Sequence, residues 1–284
     1  MSGKQPAKSG ASRMAQRCTA VLYAMMAVSI SAGPSLAASC GNNAAGFSAW
    51  LDDFKAEARR AGIKSQVVNS SLKGISYHPK VISLDRGQKS FKLSFDQFYA
   101  KRVNNAMISQ GRKLIRQNGK LFSSIEKRYG VPAPVLVAIW GLETGYGRNS
   151  GNMNVIRSLA TLAYDCRRSE FFTAELINAL AIVQRRDMTP AQMRGAWAGE
   201  IGQTQFLASS YMRYAVDFDG DGRRDLIRSV PDVLGSTANY LKAHGWRRGA
   251  PWGPGTANFD VIGQWNKAGV YVKTIAVMAD RLAR

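Results

Sequence analysis

Acidic residues are scarce in this 284-residue chain: 19 Asp and Glu stand against 39 Lys and Arg, for a formal charge of +20. Histidine and cysteine are scarcer still, with two and three copies. So few of them, widely spaced, exclude a zinc finger, a cysteine-rich scaffold and a His-based triad. His78 and His244 have no metal-ligand or triad companions, and His244, in KAHGW at a helix end, reads as a C-terminal cap. There is no Gly-rich phosphate loop and no serine nucleophile elbow. Beyond the N-terminus no run is long and apolar enough to cross a bilayer. Carboxylates are what remains as a source of chemistry.

The N-terminus reads as an export signal over residues 1–38. Lys4, Lys8, Arg13 and Arg17 form a positive segment, Cys18–Gly33 is apolar, and Ser35-Leu36-Ala37 or Leu36-Ala37-Ala38 supplies small residues for cleavage. The mature chain, 39–284, keeps Cys40 and Cys166. In an oxidising compartment two cysteines form one disulfide; the alternative is a lipidated Cys40, since Leu36-Ala37-Ala38-Ser39-Cys40 loosely resembles a lipoprotein site. A charge of about +16 after loss of the leader's four cations suggests a polyanionic partner. No RNP, zinc-finger or other nucleic-acid motif is present, which leaves an acidic envelope polymer or simple solubility.

Helical periodicity dominates. Helices are expected over Phe47–Ala61, Lys89–Ile115, Lys120–Tyr129, Arg157–Tyr164, Glu170–Arg186, Pro190–Ala198, Val230–His244 and Phe259–Ala268. Turn chemistry clusters at Arg148–Asn154, Asp217–Asp225 and Gly249–Gly255. The fold class is mainly α with at most a small β element, and the mature chain up to Tyr129 is expected as a helical subdomain.

Three segments carry candidate chemistry. In VPAPVLVAIWGLETGYG (Val131–Gly147), Pro132 and Pro134 suit a helix start and Gly145 and Gly147 a stop, which puts Glu143 in the last turn of an apolar helix. The helix dipole and desolvation both disfavour charge there and raise the pKa, as an acid catalyst requires. In DFDGDGRRD, Asp217, Asp219, Asp221 and Gly222 match positions 1, 3, 5 and 6 of an EF-hand loop. Arg223 offers a backbone carbonyl and Asp225 fits position 9; position 12 is Arg228, and Asp232 would close a longer loop spanning 217–232. Arg223, Arg224 and Arg228 would also balance the three carboxylates without metal. In GEIGQTQFLASSY, Gln203 and Gln205 could hydrogen-bond a sugar, Glu200 is a second carboxylate, and Tyr146, Trp197, Phe206, Tyr211, Tyr240, Trp246, Trp252 and Trp265 could stack on one or fill the core.

Taken in order, GLETGYG (Gly141–Gly147), SLATLAYD (Ser158–Asp165), WAGEIGQTQFLASSY (Trp197–Tyr211), DFDGDGRRD and TANYLKAHGW (Thr237–Trp246) resemble the lytic murein transglycosylase B family, over roughly Phe47 to Ala279. The resemblance implies a lysozyme-like catalytic domain with an EF-hand-like loop insertion. It implies non-hydrolytic cleavage of the β-1,4 MurNAc–GlcNAc bond of peptidoglycan glycan strands, giving 1,6-anhydro-MurNAc ends in wall turnover or remodelling. Glu143 then corresponds to the acid and base, and Gln205, Tyr240 and Asn266 to substrate contacts, which Tyr146 and Gln203 join as candidates from their own chemistry. The implied metal set is Asp217, Asp219, Asp221, Arg223 and Asp232, for a structural Ca2+, with no cofactor for catalysis. A periplasmic monomer is expected. Ala196, Glu200, Ala208 and Trp265 depart from the family pattern. Alternatives are a muramidase using water, with Glu200 as second carboxylate, and a catalytically silent wall-binding protein.

Overall fold

The computed structural model describes residues 39–87 and 93–284; the export signal expected over residues 1–38 lies outside them. The described residues fall in one unit, Ala37–Arg284. They form thirteen helices and one two-stranded sheet.

At the centre is α7, Ala133–Thr144, and its composition explains its place. Of twelve residues only Pro134 and Glu143 are not buried, and a helix apolar all round has to be a core helix. Four elements wrap it: α5 (Asn105–Gln117), α6 (Gly119–Tyr129), α11 (Val230–Ala243) and α13 (Gly269–Ala283). On the other side α8 (Val155–Tyr164) and α9 (Ser169–Gln184) pair, with α1 (Phe47–Arg60), α2 (Ser65–Leu72) and α3 (Pro79–Arg86) against them. The elements α4 (Phe95–Arg102), α10 (Ala208–Tyr214) and α12 (Ala257–Trp265) complete the shell. Thus the helices up to Tyr129 lie beside the segment carrying Glu143, spread around two faces of the body.

Cys40 and Cys166 are bridged, 126 residues apart in sequence, so Cys40 has no free thiol for a lipid. Beside the bridge, Gly41 N–H donates to the Tyr164 carbonyl at 2.9 Å. Buried Asp85 collects Arg86, Arg167 and Arg168, and Arg86 also reaches Asp165 at 2.7 Å. These contacts anchor the start of the described chain to the α8–α9 turn.

Several expected elements change. The helix expected over Lys89–Ile115 is two, α4 and α5, because Asn104 caps a new start by accepting from Met107 N–H at 2.9 Å. Ser94 and Gln97 form a capping box for α4. No helix spans Pro190–Ala198. Its residues Arg194–Gly195 form β2, paired antiparallel with β1, Met153–Asn154. The helices α2, α3 and α13 were not expected. The first is built from Ser, Val and Asn, weak helix formers, and α13 opens on a glycine and two valines.

Candidate active site

The end of α7 is shaped by Gly145, whose φ of 60° lets the chain reverse and return Tyr146 N–H to the Trp140 carbonyl at 3.2 Å. Gly147, at φ 84°, passes so close to Gln203 that a Cβ would lie 2.3 Å from its Oε1. Thr144 Oγ1 donates to the Gln203 carbonyl at 2.6 Å and accepts from Gly147 N–H at 2.8 Å. The helix end and the Gly199–Phe206 turn are therefore one locked unit. That turn is itself pinned by reciprocal bonds between Ile201 and Phe206, at 2.7 and 2.9 Å.

Glu143 sits at the floor of a 340 Å³ cavity between these parts. Its Oε1 accepts two hydrogen bonds, from Trp265 Nε1 and from the Tyr271 hydroxyl, both at 2.8 Å. Oε2 has no protein donor among the described residues. Burial pushes the Glu143 pKa up; the bonds from Trp265 and Tyr271 and the nearby Arg102 oppose this, and Glu200 adds to it. Burial, followed by Glu143 itself, holds the Tyr271 hydroxyl well above its ordinary value, so it stays a donor. One carboxyl oxygen is thus fixed by two donors while the other is left for a proton.

Glu200 lines the same cavity. Its Oε2 accepts from Ala198 N–H at 3.2 Å, and burial raises its pKa against that bond. Gln205, Tyr240 and Asn266 also line the cleft, as expected. Gln205 is held at φ 55°, a rare conformation for a side-chain-bearing residue, with its Nε2 donating to Gly202 and Ser150 carbonyls at 2.8 and 3.2 Å. Its Oε1 is left without a protein donor among the described residues. The Tyr240 hydroxyl donates to the Gln264 carbonyl at 2.7 Å, and its ring meets Trp265 edge-on at 4.9 Å. Asn266 Oδ1 accepts from Ala268 N–H at 2.9 Å.

Two expected sugar contacts turn inward instead. Tyr146 is buried, with its ring against Trp140 and its hydroxyl donating to the Met107 carbonyl at 2.8 Å. Gln203 is buried too; it accepts from Trp140 Nε1 and donates to the Ile227 carbonyl, each at 2.9 Å. Gln203→Ala therefore leaves the buried Trp140 indole N–H and the half-buried Ile227 carbonyl unpaired, and is expected to cost about 2–3 kcal/mol. Urea unfolding measures this.

Sequence reasoning missed Tyr271 and Arg102, whose Nη2 donates to the Leu142 carbonyl at 2.6 Å. Neither lies in a segment with a chemical motif, and α13 itself went unread. His244 does cap α11, with Nδ1 2.8 Å from the Tyr240 carbonyl.

Of the residues expected to hold metal, Asp217, Asp219 and Asp232 bring carboxylate oxygens within 4.8 Å of one another. Asp232 is fully buried, and its oxygens accept from Phe218 N–H at 2.7 Å and Asp225 N–H at 2.8 Å. Asp221 stands outside this group, exposed, taking Arg223 N–H at 2.8 Å. Asp225 caps the next turn through Ile227 and Arg228 N–H, at 3.0 and 2.9 Å.

Over 122 residues the chain is 45% identical to the membrane-bound lytic murein transglycosylase B of Escherichia coli (strain K12), a stretch making up 43% of this chain and 34% of that protein's length. The crystal structure of SltB3 from Pseudomonas aeruginosa, in complex with NAG-anhNAM-pentapeptide, matches with a TM-score of 0.79 at 34% identity, covering 84% of this chain and 79% of that one. The Escherichia coli lytic transglycosylase Slt35, in complex with calcium, shares the fold: its TM-score is 0.72 at 24% identity, over 88% of this chain and 97% of that one. Residues 46–257 match the transglycosylase SLT domain, and the chain belongs to that family.

Proposed function

We propose that the chain is a peptidoglycan lytic transglycosylase that breaks the β-1,4 MurNAc–GlcNAc bond without water. What carries this reading is the Glu143 carboxyl, tied through one oxygen by Trp265 and Tyr271 and open to the cleft through the other. Protonated Glu143 gives its proton to the glycosidic oxygen as the bond to C1 breaks. The 2-acetamido group of the same sugar steadies the positive charge at C1. Glu143, now ionised, takes the proton from the C6 hydroxyl, whose oxygen bonds C1 and closes the anhydro ring. The nucleophile is internal, so one carboxylate serves as acid and then base. Gln205, Tyr240 and Asn266 hold the sugar so that C6 faces C1. The relatives favour the same reaction: one is named a lytic murein transglycosylase, and another was solved with an anhydro-sugar peptide. Digesting purified sacculi and weighing the muropeptides tests it. Anhydro ends, one water lighter, are expected; reducing ends alone would sink it.

Glu200 in the same cavity favours a second reading, hydrolysis with Glu200 activating water. The pH profile of Glu200→Gln separates the two. Its charge raises the Glu143 pKa, so removing it lowers that pKa. Activity needs protonated Glu143, so the high-pH limb of kcat/KM moves down. A base for water would instead be lost outright, and turnover with it.

For the loop, three converging carboxylates suit a hard cation with oxygen ligands. Asp217, Asp219 and Asp232 would hold a structural Ca2+, which takes no part in the proton transfers. A fold relative solved with calcium is in keeping with this. Residues 39–284 then act as one monomeric catalytic domain on glycan strands in the periplasm; a relative described as membrane-bound is in keeping with this.

A further inference from the structure

A second cavity, also of 340 Å³, lies between α5 and the end of α13. Asn105, Ser109, Arg112 and Arg116 face it from α5, and Arg281 from α13. No carboxylate lines it. Elsewhere five arginines meet acids, Arg86, Arg167 and Arg168 at Asp85 and Arg185 and Arg224 at Asp187, while Arg59, Arg102, Arg157, Arg194 and Arg248 donate to neutral acceptors. Here, among the described residues, the partners are neutral. Arg112 donates through Nε and Nη2 to the Arg281 carbonyl at 3.2 and 2.6 Å. Arg281 donates to the Tyr99 hydroxyl at 3.2 Å and to Asn105 Oδ1 at 2.9 Å. Arg116 makes no ion pair among the described residues.

Those bonds hold the Arg112 and Arg281 guanidinium groups at the cavity, with Arg116 one turn along α5. Like charges at this spacing oppose the helix unless an anion joins them. A rigid arginine fork suits a carboxylate or a phosphate, which it binds through paired hydrogen bonds.

We infer that Arg112, Arg116 and Arg281 form an anion site for the carboxylates of the peptide stem on the glycan strand held in the cleft, an inference that rests on the function proposed above. Reach is consistent with it. Tyr271, which touches Glu143, and Arg281 are ten residues apart on α13, about 15 Å along its axis. An extended stem of four or five residues spans about 13–18 Å.

The test compares strands bearing stems with strands stripped of them by an amidase, for wild type and for the R112Q/R116Q double variant. The ratio of kcat/KM on bearing to stripped strands is expected to fall about tenfold in the variant. An equal fall on both, or no fall, overturns the inference. Calorimetric titration with a free stem tripeptide and with inorganic phosphate adds a readout that needs no turnover. Tripeptide bound by wild type and not by the variant supports the site; phosphate bound without tripeptide makes it a site for free anions and overturns the stem. Wild type that releases no anhydro ends from either strand removes the proposed reaction, whatever the titration gives.

Discussion

Glu143→Gln is expected to reduce release of anhydro-muropeptides by at least about a thousandfold, the scale set by losing a general acid and then a general base on one residue. The variant isolates chemistry from structure. Glutamine has the same shape, and its carbonyl oxygen can still accept from Trp265 Nε1 and the Tyr271 hydroxyl, both 2.8 Å from Glu143 Oε1. What vanishes is an ionisable group whose pKa burial pushes up. Because the wild-type group is desolvated, its removal should leave the melting temperature level or higher. Mass spectrometry of the digest and a thermal melt give both readouts. Glu143→Gln releasing anhydro ends at the wild-type rate would end its role as acid and base. If wild type and variant both leave sacculi intact yet sediment with them, the chain is a wall-binding protein, and the cleft serves recognition alone.

How much of this could be read from residues alone depended on how local the cause was. The position of Glu143 was legible because everything that sets it is within a few residues: two prolines to start α7, an apolar run to bury it, and Gly145 to end it. The fold class followed from periodicity in the same way, and the bridge between Cys40 and Cys166 from having no other cysteine after the expected leader. Tyr146 and Gln203 were misread for the opposite reason. Both are polar residues next to glycines, the usual look of a binding loop, but their partners are Met107, Trp140 and Ile227. Nothing near them in sequence shows that Trp140 needs an acceptor. Tyr271 is the same problem inverted, because its importance comes wholly from Glu143, 128 residues away. The helix expected over Pro190–Ala198 failed because strand pairing with Met153–Asn154 outweighed its local propensity.

The second large effect is expected at Asp232. Replacing it by alanine leaves Phe218 and Asp225 N–H without their acceptors in a fully buried position. That should cost about 3–5 kcal/mol, or a fall in melting temperature of about 6–20 °C for a domain of this size. Asp232 ties both ends of the loop, and the loop in turn supports the cleft, since Gln203 bonds to the Leu226 and Ile227 carbonyls at 2.9 Å. Activity should therefore fall along with stability. Millimolar calcium discriminates further: an ion bound to the native state alone raises the melting temperature by mass action, so wild type should respond and Asp232→Ala should not. Asp221→Ala is the matching control. Its carboxylate is exposed and outside the converging group, so the change should cost within about 0.5 kcal/mol and leave the calcium response in place. A calcium response lost in Asp221→Ala and kept in Asp232→Ala would put the ion on the consecutive loop positions that sequence order suggested, and reduce Asp232 to a clamp on two amides.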